Sequence, residues 1–321
     1  MVSPTLPAER TGNGITAARW SRRLRELGHR VRIVQAYDGK ACDLLIALHA
    51  RKSAAAALRF QRAQPARPLV VALTGTDLYG ELRRSARARQ TVAQATALVL
   101  LQPRGLAALP REFRRKAHVI LQSALPPRRP GRPGTRTFDV AVLGHLRSVK
   151  DPLRAALAAR QLPPESKLRV VHAGRAVTAA FARRARDEMR RNHRYLWLGD
   201  VPHQAALGLL ARSRALVLSS RREGGANVIS EAAVAHVPVL ASRIPGSVGL
   251  LGDAYPGYFE VGNTKELVAL LRRLEAEPAF AARLRRHMRR LAPGFRPARE
   301  RGAWRRLLQA LQGASQPADA V

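Results

Sequence analysis

Cysteine is almost missing. A single residue, Cys42, occurs in 321, which excludes a disulfide framework or a cysteine metal cluster and points to a reducing, cytoplasmic setting. No run of about 18 uninterrupted apolar residues exists, so no membrane insertion is expected. The first ten residues carry Pro4 and Pro7 and no apolar run, so no secretory leader is expected there. None of the nine Asp pairs as Asp-x-Asp, and His, Cys and carboxylates nowhere take metal-ligand spacing. No metal and no cofactor is therefore expected. A Walker lysine loop, a Gly-x-Ser-x-Gly elbow and a fixed-period repeat are also missing. Acidic residues are scarce, with 22 Asp and Glu against 57 Lys and Arg, a net charge of +35. Aromatics reach only 5% and the arginines are spread over every helical segment, so nucleic acid is not an expected partner. A field of this sign still steers anions.

Apolar residues make up 46% of the chain, enough to fold, and the length suits two domains. Short β-branched runs alternate with helical patterns, which predicts a parallel α/β architecture. In the first half, strands are expected at 31–35, 44–48, 69–73, 97–101 and 118–121, with helices at 16–27, 52–64 and 80–94. A first strand is expected within residues 1–5; it is short, so the chain is expected to begin a few residues upstream. Residues 125–136 are dense in Pro and Gly and read as a linker. The pattern then starts over, with strands at 138–143, 168–173, 195–198, 215–219, 238–241 and 258–261. Helices are expected at 152–160, 178–191, 204–212, 227–235, 265–275, 278–290 and 297–311. The expected domains are 1–124 and 137–294, followed by a C-terminal segment 295–321. Two successive βαβ domains place a ligand cleft at the carboxyl ends of both sheets.

The most informative stretch runs from Leu216 to Ala235. Glu223 and Glu231 stand there with seven residues between them. Thirteen Glu in 321 residues give about 0.5 such pairs by chance, so the flanks carry the weight. An apolar strand ends at Ser219, Gly224-Gly225 allows close backbone approach, and Asn227 opens a helix. Carboxylates beside the free N–H groups of a helix start suit a ligand that carries both hydroxyls and phosphate. Two Glu favoured only by the helix dipole are the alternative. Upstream, Gly144 ends a strand in a turn that supplies His145, Arg147 and Lys150, cations able to neutralise a departing pyrophosphate, or else a solvated loop. In the first half, Thr11-Gly-Asn-Gly-Ile-Thr16 lacks the third Gly of a dinucleotide fingerprint; it suits a small oxyanion or a simple tight turn. His49 follows a strand and leads Arg51 and Lys52; a packed strand-end histidine is the alternative. Thr74-Gly-Thr-Asp77 also ends a strand, with Asp77 otherwise a helix cap.

Glu223-x7-Glu231, together with Gly144-x-Leu-x3-Lys150, resembles the large retaining family of GT-B-fold glycosyltransferases. The resemblance implies two Rossmann-like domains facing a cleft and a final helix crossing back to the first. It implies that Glu223 contacts a donor hexose, that Glu231 holds ribose hydroxyls and that Lys150 contacts the diphosphate. The base falls to the Asp200–Val201 region, and Gly224, Gly225, Ala226, Asn227 and Val228 complete the donor site. The family's Arg after the loop Gly is His145 here, which makes Arg147 the candidate substitute.

The stretches 11–20, 43–53 and 73–79 are similar to the selenosugar synthases of selenoneine biosynthesis. That likeness implies transfer of a hexose from UDP-glucose or UDP-GlcNAc to selenophosphate, with formation of a C–Se bond. Gly12, Asn13, Gly14, Thr16, His49, Arg51, Lys52, Thr74, Thr76 and Asp77 are then the acceptor residues. Lys150, Glu223 and His49 are the catalytic candidates. An ordinary UDP-sugar transferase acting on a hydroxyl is the competing expectation, and a basic nucleic-acid binder a remote one.

Overall fold

The structure, a computed structural model, describes residues 1–9, 11–127, 131 and 133–313. Its strands are β1 (Leu45–Leu48), β2 (Leu69–Leu73), β3 (Ala97–Leu100), β4 (Ala117–Val119), β5 (Phe138–Leu143), β6 (Leu168–Ala173), β7 (Tyr195–Trp197), β8 (Ala215–Leu218), β9 (Val239–Ser242) and β10 (Tyr258–Phe259). The helices up to β4 are α1 (Gly12–Arg25), α2 (Ala54–Ala63), α3 (Leu82–Arg84), α4 (Ala86–Gln94) and α5 (Gly105–Ala108). After β5 come α6 (Arg154–Ala159), α7 (Ala179–Arg191), α8 (His203–Arg212), α9 (Asn227–Val234), α10 (Pro245–Leu251), α11 (Thr264–Ala276), α12 (Pro278–Leu291) and α13 (Pro297–Gly313).

The strands form two parallel sheets, ordered β1-β2-β3-β4 and β10-β9-β8-β5-β6-β7. The chain divides into two compact units. The first comprises Met1–Ser123, Glu223–Asn227 and the segment from Arg296; the second comprises Ala124–Arg222 and Val228–Phe295.

In the first unit β2 is buried at every position. Its alternate side chains serve two cores: Leu69, Val71 and Leu73 pack with Phe60, while Val70 and Ala72 pack with Trp20 and Trp304. Burial on both faces is why the strand reads as an unbroken apolar run. Helix α13 meets α1 through Trp20 and Trp304, whose rings stand edge to face at 4.8 Å. In the second unit, β5 has β6 on one side and β8 on the other. The chain lays down β5, β6 and β7 in one direction, then β8, β9 and β10 in the other. The loops after β5 and β8 therefore flank a topological switch point, where parallel sheets bind ligands.

Several local expectations need correction. The strand expected at 31–35 shrinks to one bridge, Val34 with Val2, because only the short segment at Met1–Ser3 lies beside it. The helix expected from Thr16 already begins at Gly12, since Thr11 caps it by accepting from Gly14 N. The helix expected over 80–94 is split: a π-helical turn at Asp77–Glu81 and α3 end at Ser85, whose extended backbone and side-chain cap start α4. The strand expected at 258–261 pairs only over Tyr258–Phe259. Helix α10 was hidden by Pro245-Gly246, yet Pro fits a first helical position. Of the expected linker 125–136, residues 128–130 and 132 lie outside the described residues, as do 314–321 of the C-terminal segment.

Candidate functional site

The polar edge of the first unit is built on strand ends. His49 follows β1 with a left-handed backbone, φ +72°, which a non-glycine residue adopts only at a cost of about 1–3 kcal/mol. Its ring is buried. Nδ1 accepts from Lys52 N at 3.3 Å, and Nε2 stands 3.0 Å from Thr76 Oγ1. A neutral ring that accepts at Nδ1 carries its proton at Nε2. Asp77 is fully buried: Oδ1 accepts from Thr74 N and Gly75 N, and Oδ2 from Ala50 N at 2.9 Å. That carboxylate locks the loops after β1 and β2 together rather than facing solvent. Beside it, Glu81 pairs with Arg51 at 2.9 Å and stands 3.6 Å from His49 Nε2. Burial acts to raise the Glu81 carboxyl, but the hydrogen-bonded Arg51 guanidinium, with Lys52 adding to it, outweighs this and holds it below its ordinary value.

Gly12, Asn13 and Gly14 form the first turn of α1 rather than a loop ahead of it. Thr16 is buried, donating to Gly12 O at 2.8 Å and accepting from Gln122 Nε2 at 2.6 Å. Its hydroxyl therefore supports the turn. The Glu223–Asn227 segment belongs to this unit as well. A Cβ on Gly224 would lie 2.4 Å from Thr74 C, and one on Gly75 would lie 2.3 Å from Gly224 N. The two glycines let these backbones touch, so the structure brings Glu223 beside the Thr74–Asp77 loop. Arg19 donates to Asn227 Oδ1 at 2.9 Å.

In the second unit, the loop after β5 is clamped from below and from the side. Gly144 N donates to Ala173 O, and Arg175 N donates to His145 Nδ1 at 3.2 Å. His172, fully buried, stands with Nε2 2.9 Å from Gly144 O and Nδ1 3.0 Å from the Tyr195 hydroxyl. Desolvation pushes this imidazole down to about 4, so it stays neutral and holds the turn. Arg147 is exposed at the start of the 3-10 turn Ser148–Lys150, which ends in Asp151 at φ +44°. Ser219 Oγ donates to Asp151 O at 2.9 Å, and Arg221 N donates to Val149 O at 2.8 Å. The loops after β5 and β8 are thus joined at the switch point, with Lys150 half-buried between those contacts.

Glu231 is buried one turn into α9, with Oε1 2.8 Å from Nε2 of His203. His203 opens α8 directly after Asp200, Val201 and Pro202, so the structure brings Glu231 and the Asp200–Val201 region together. The sequence reading missed His203, His172 and Glu81. No local motif marks them, because each is defined by a partner 28 to 32 positions away. Among the described residues, no group of three or more His, Cys, Asp or Glu could hold a metal ion. Among the same residues, no helix is long and apolar enough to cross a membrane.

The family model described as "Glycosyl transferases group 1" matches residues 128–291. The glycosyltransferase 1 domain-containing protein 1 of Xenopus tropicalis is 31% identical over 140 residues. That match spans 43% of this chain and 40% of the frog protein. Among solved structures, Anabaena HepE in complex with UDP is 18% identical, covers 84% of this chain and 79% of its own, and has a TM-score of 0.69. The UDP-forming α,α-trehalose-phosphate synthase of Burkholderia vietnamiensis is 13% identical, covers 94% and 78%, and also has a TM-score of 0.69. These likenesses establish the GT-B fold, which the resemblance carried by Glu223-x7-Glu231 implied; the alternation of strands and helices had led us to expect its parallel α/β architecture.

Proposed function

Since the chain belongs to the group 1 glycosyl transferases, we propose that it transfers a hexose from a UDP-sugar, UDP-GlcNAc or UDP-glucose, to selenophosphate. The donor half is supported by the crowding of both switch-point loops around Lys150, and by Anabaena HepE, whose structures are described in complex with UDP and UDP-glucose. In this reading Glu231 accepts from the ribose hydroxyls, and Asp200 and Val201 receive the base. Glu223 and the backbone of Gly224, Gly225, Ala226, Asn227 and Val228 hold the hexose. Lys150, with Arg147 or His145, stabilises the diphosphate as charge develops on it.

The acceptor class rests on one observation: three candidate bases at the first unit's polar edge, Asp77, Glu81 and His49, are already committed, and Glu223 is assigned to the hexose. Asp77 accepts three backbone N–H groups, Glu81 is paired with Arg51, and His49 presents a proton-bearing Nε2. An alcohol acceptor needs a base to take its proton. An anionic nucleophile needs none, and Lys52 beside the Arg51–Glu81 pair suits it. Selenium attacks the anomeric carbon, the C–Se bond forms and the C–O bond to UDP breaks. The electron pair leaves on UDP, and water then removes phosphate from the adduct to give the selenosugar.

The second reading is transfer to a sugar hydroxyl, favoured by neighbours named as trehalose-phosphate and sucrose-phosphate synthases. The test is UDP release from UDP-GlcNAc and UDP-glucose, with products identified by mass. Release that depends on selenophosphate and yields a selenosugar is expected. Release that depends only on a hydroxyl acceptor would establish the second reading instead.

A further inference from the structure

One side chain outside the motifs touches the donor half directly. His203 is half-exposed at the first position of α8, and its Nε2 stands 2.8 Å from Glu231 Oε1. The Glu231 side chain is only 9% exposed, so few groups can reach it. The contact ties α9, which carries the carboxylate, to the start of α8, which follows Asp200 and Val201 in the chain. We propose that His203 is a positioning residue for the donor nucleotide, acting through Glu231. The inference rests on reading Glu231 as the ribose ligand.

The physical argument concerns lone pairs and rotamers. A carboxylate offers about four acceptor sites. The ring uses one of them on Oε1, which leaves Oε2 and the rest of Oε1 for two neighbouring ribose hydroxyls. A glutamate has three side-chain torsions, and ordering them on binding weakens affinity. With Oε1 already held, that ordering is complete before the ligand arrives. The same bond sets the ribose ligand at a fixed distance from the backbone proposed to receive the base, so sugar and base are read in register. Replacing the imidazole should therefore weaken nucleotide binding without unfolding α8, whose buried residues are Leu207, Leu209 and Leu210.

The experiment is calorimetric titration of UDP and of 2′,3′-dideoxy-UDP into the wild type, His203→Ala, His203→Gln and Glu231→Ala, with the melting temperature of each recorded. His203→Ala should bind UDP about fivefold more weakly at unchanged melting temperature. His203→Gln, whose amide supplies a donor from a similar position, should recover to within about twofold. The dideoxy ligand should bind the wild type and His203→Ala alike, because the hydroxyls that Glu231 would accept are gone. If Glu231→Ala weakens UDP while His203→Ala does not, the positioning role is overturned and the ribose reading stands. An equal loss for UDP and the dideoxy ligand in His203→Ala also overturns it. If Glu231→Ala binds both ligands as the wild type does, the ribose reading itself fails and the inference falls with it.

Discussion

His172 shows how a single buried group can set both a loop and a pH limit. Its folded-state value near 4 lies below the ordinary 6.5, so the unfolded chain binds the proton more readily. Stability is full above about pH 6.5 and falls as pH drops toward 4, by up to about 3 kcal/mol from this residue. His118, His236 and His287 are lowered too, chiefly by burial, and add to the same limb. Thermal melts from pH 7 to 4 should show this slope, and His172→Gln should flatten it; an unchanged slope would refute the assignment. Gly174 sits above the same turn, where a Cβ would lie 2.0 Å from Gly144 O. Gly174→Ala should displace the Gly144–His145 turn and weaken UDP binding about tenfold or more, measured by calorimetry. The sequence offered Glu223, Glu231 and Lys150 through spacing and strand-end context. It could not offer His172 or His203, because a hydrogen bond between positions 28 apart leaves no local pattern.

Among elements, the strands of the second unit were readable to within two or three residues. The central ones, β5, β6, β8 and β9, are apolar runs largely buried between layers and bounded by turn residues, so burial and propensity agree. Residues 31–35 failed because a short β-branched run gives a strand pattern without a partner long enough to pair with. Residues 80–94 failed because Ser85 acts as a cap inside an otherwise continuous helical pattern. The contact of α1 with α13 joins residues nearly 300 positions apart and leaves no local pattern; only the family resemblance implied a final helix crossing back to the first domain. Glu300 there is buried and accepts from Trp20 Nε1 at 3.0 Å and from Ser123 Oγ at 2.5 Å. Trp304→Ala should cost about 3–5 kcal/mol by chemical denaturation, through the cavity it leaves against Trp20. A loss under about 1 kcal/mol would mean that α13 does not share the core of α1.

Across the whole molecule, the charge of +35 favours anionic ligands without naming one. Many of the arginines lie exposed on helices such as α7 and α12, where they solvate the surface. Any affinity for DNA should be electrostatic, lost by about 200 mM salt and indifferent to sequence; gel-shift titrations against salt would check this. The cations we propose for a chemical role are fewer: Arg51 and Lys52 near Glu81 in the first unit, and Lys150 with Arg147 at the switch point of the second. The measurement that tests this assignment most directly is steady-state kinetics with the UDP-sugar varied at saturating selenophosphate. Glu231→Ala should raise KM about tenfold or more with kcat nearly unchanged, and Lys150→Ala should lower kcat about a hundredfold. Small and equal effects of both substitutions on turnover would contradict the account.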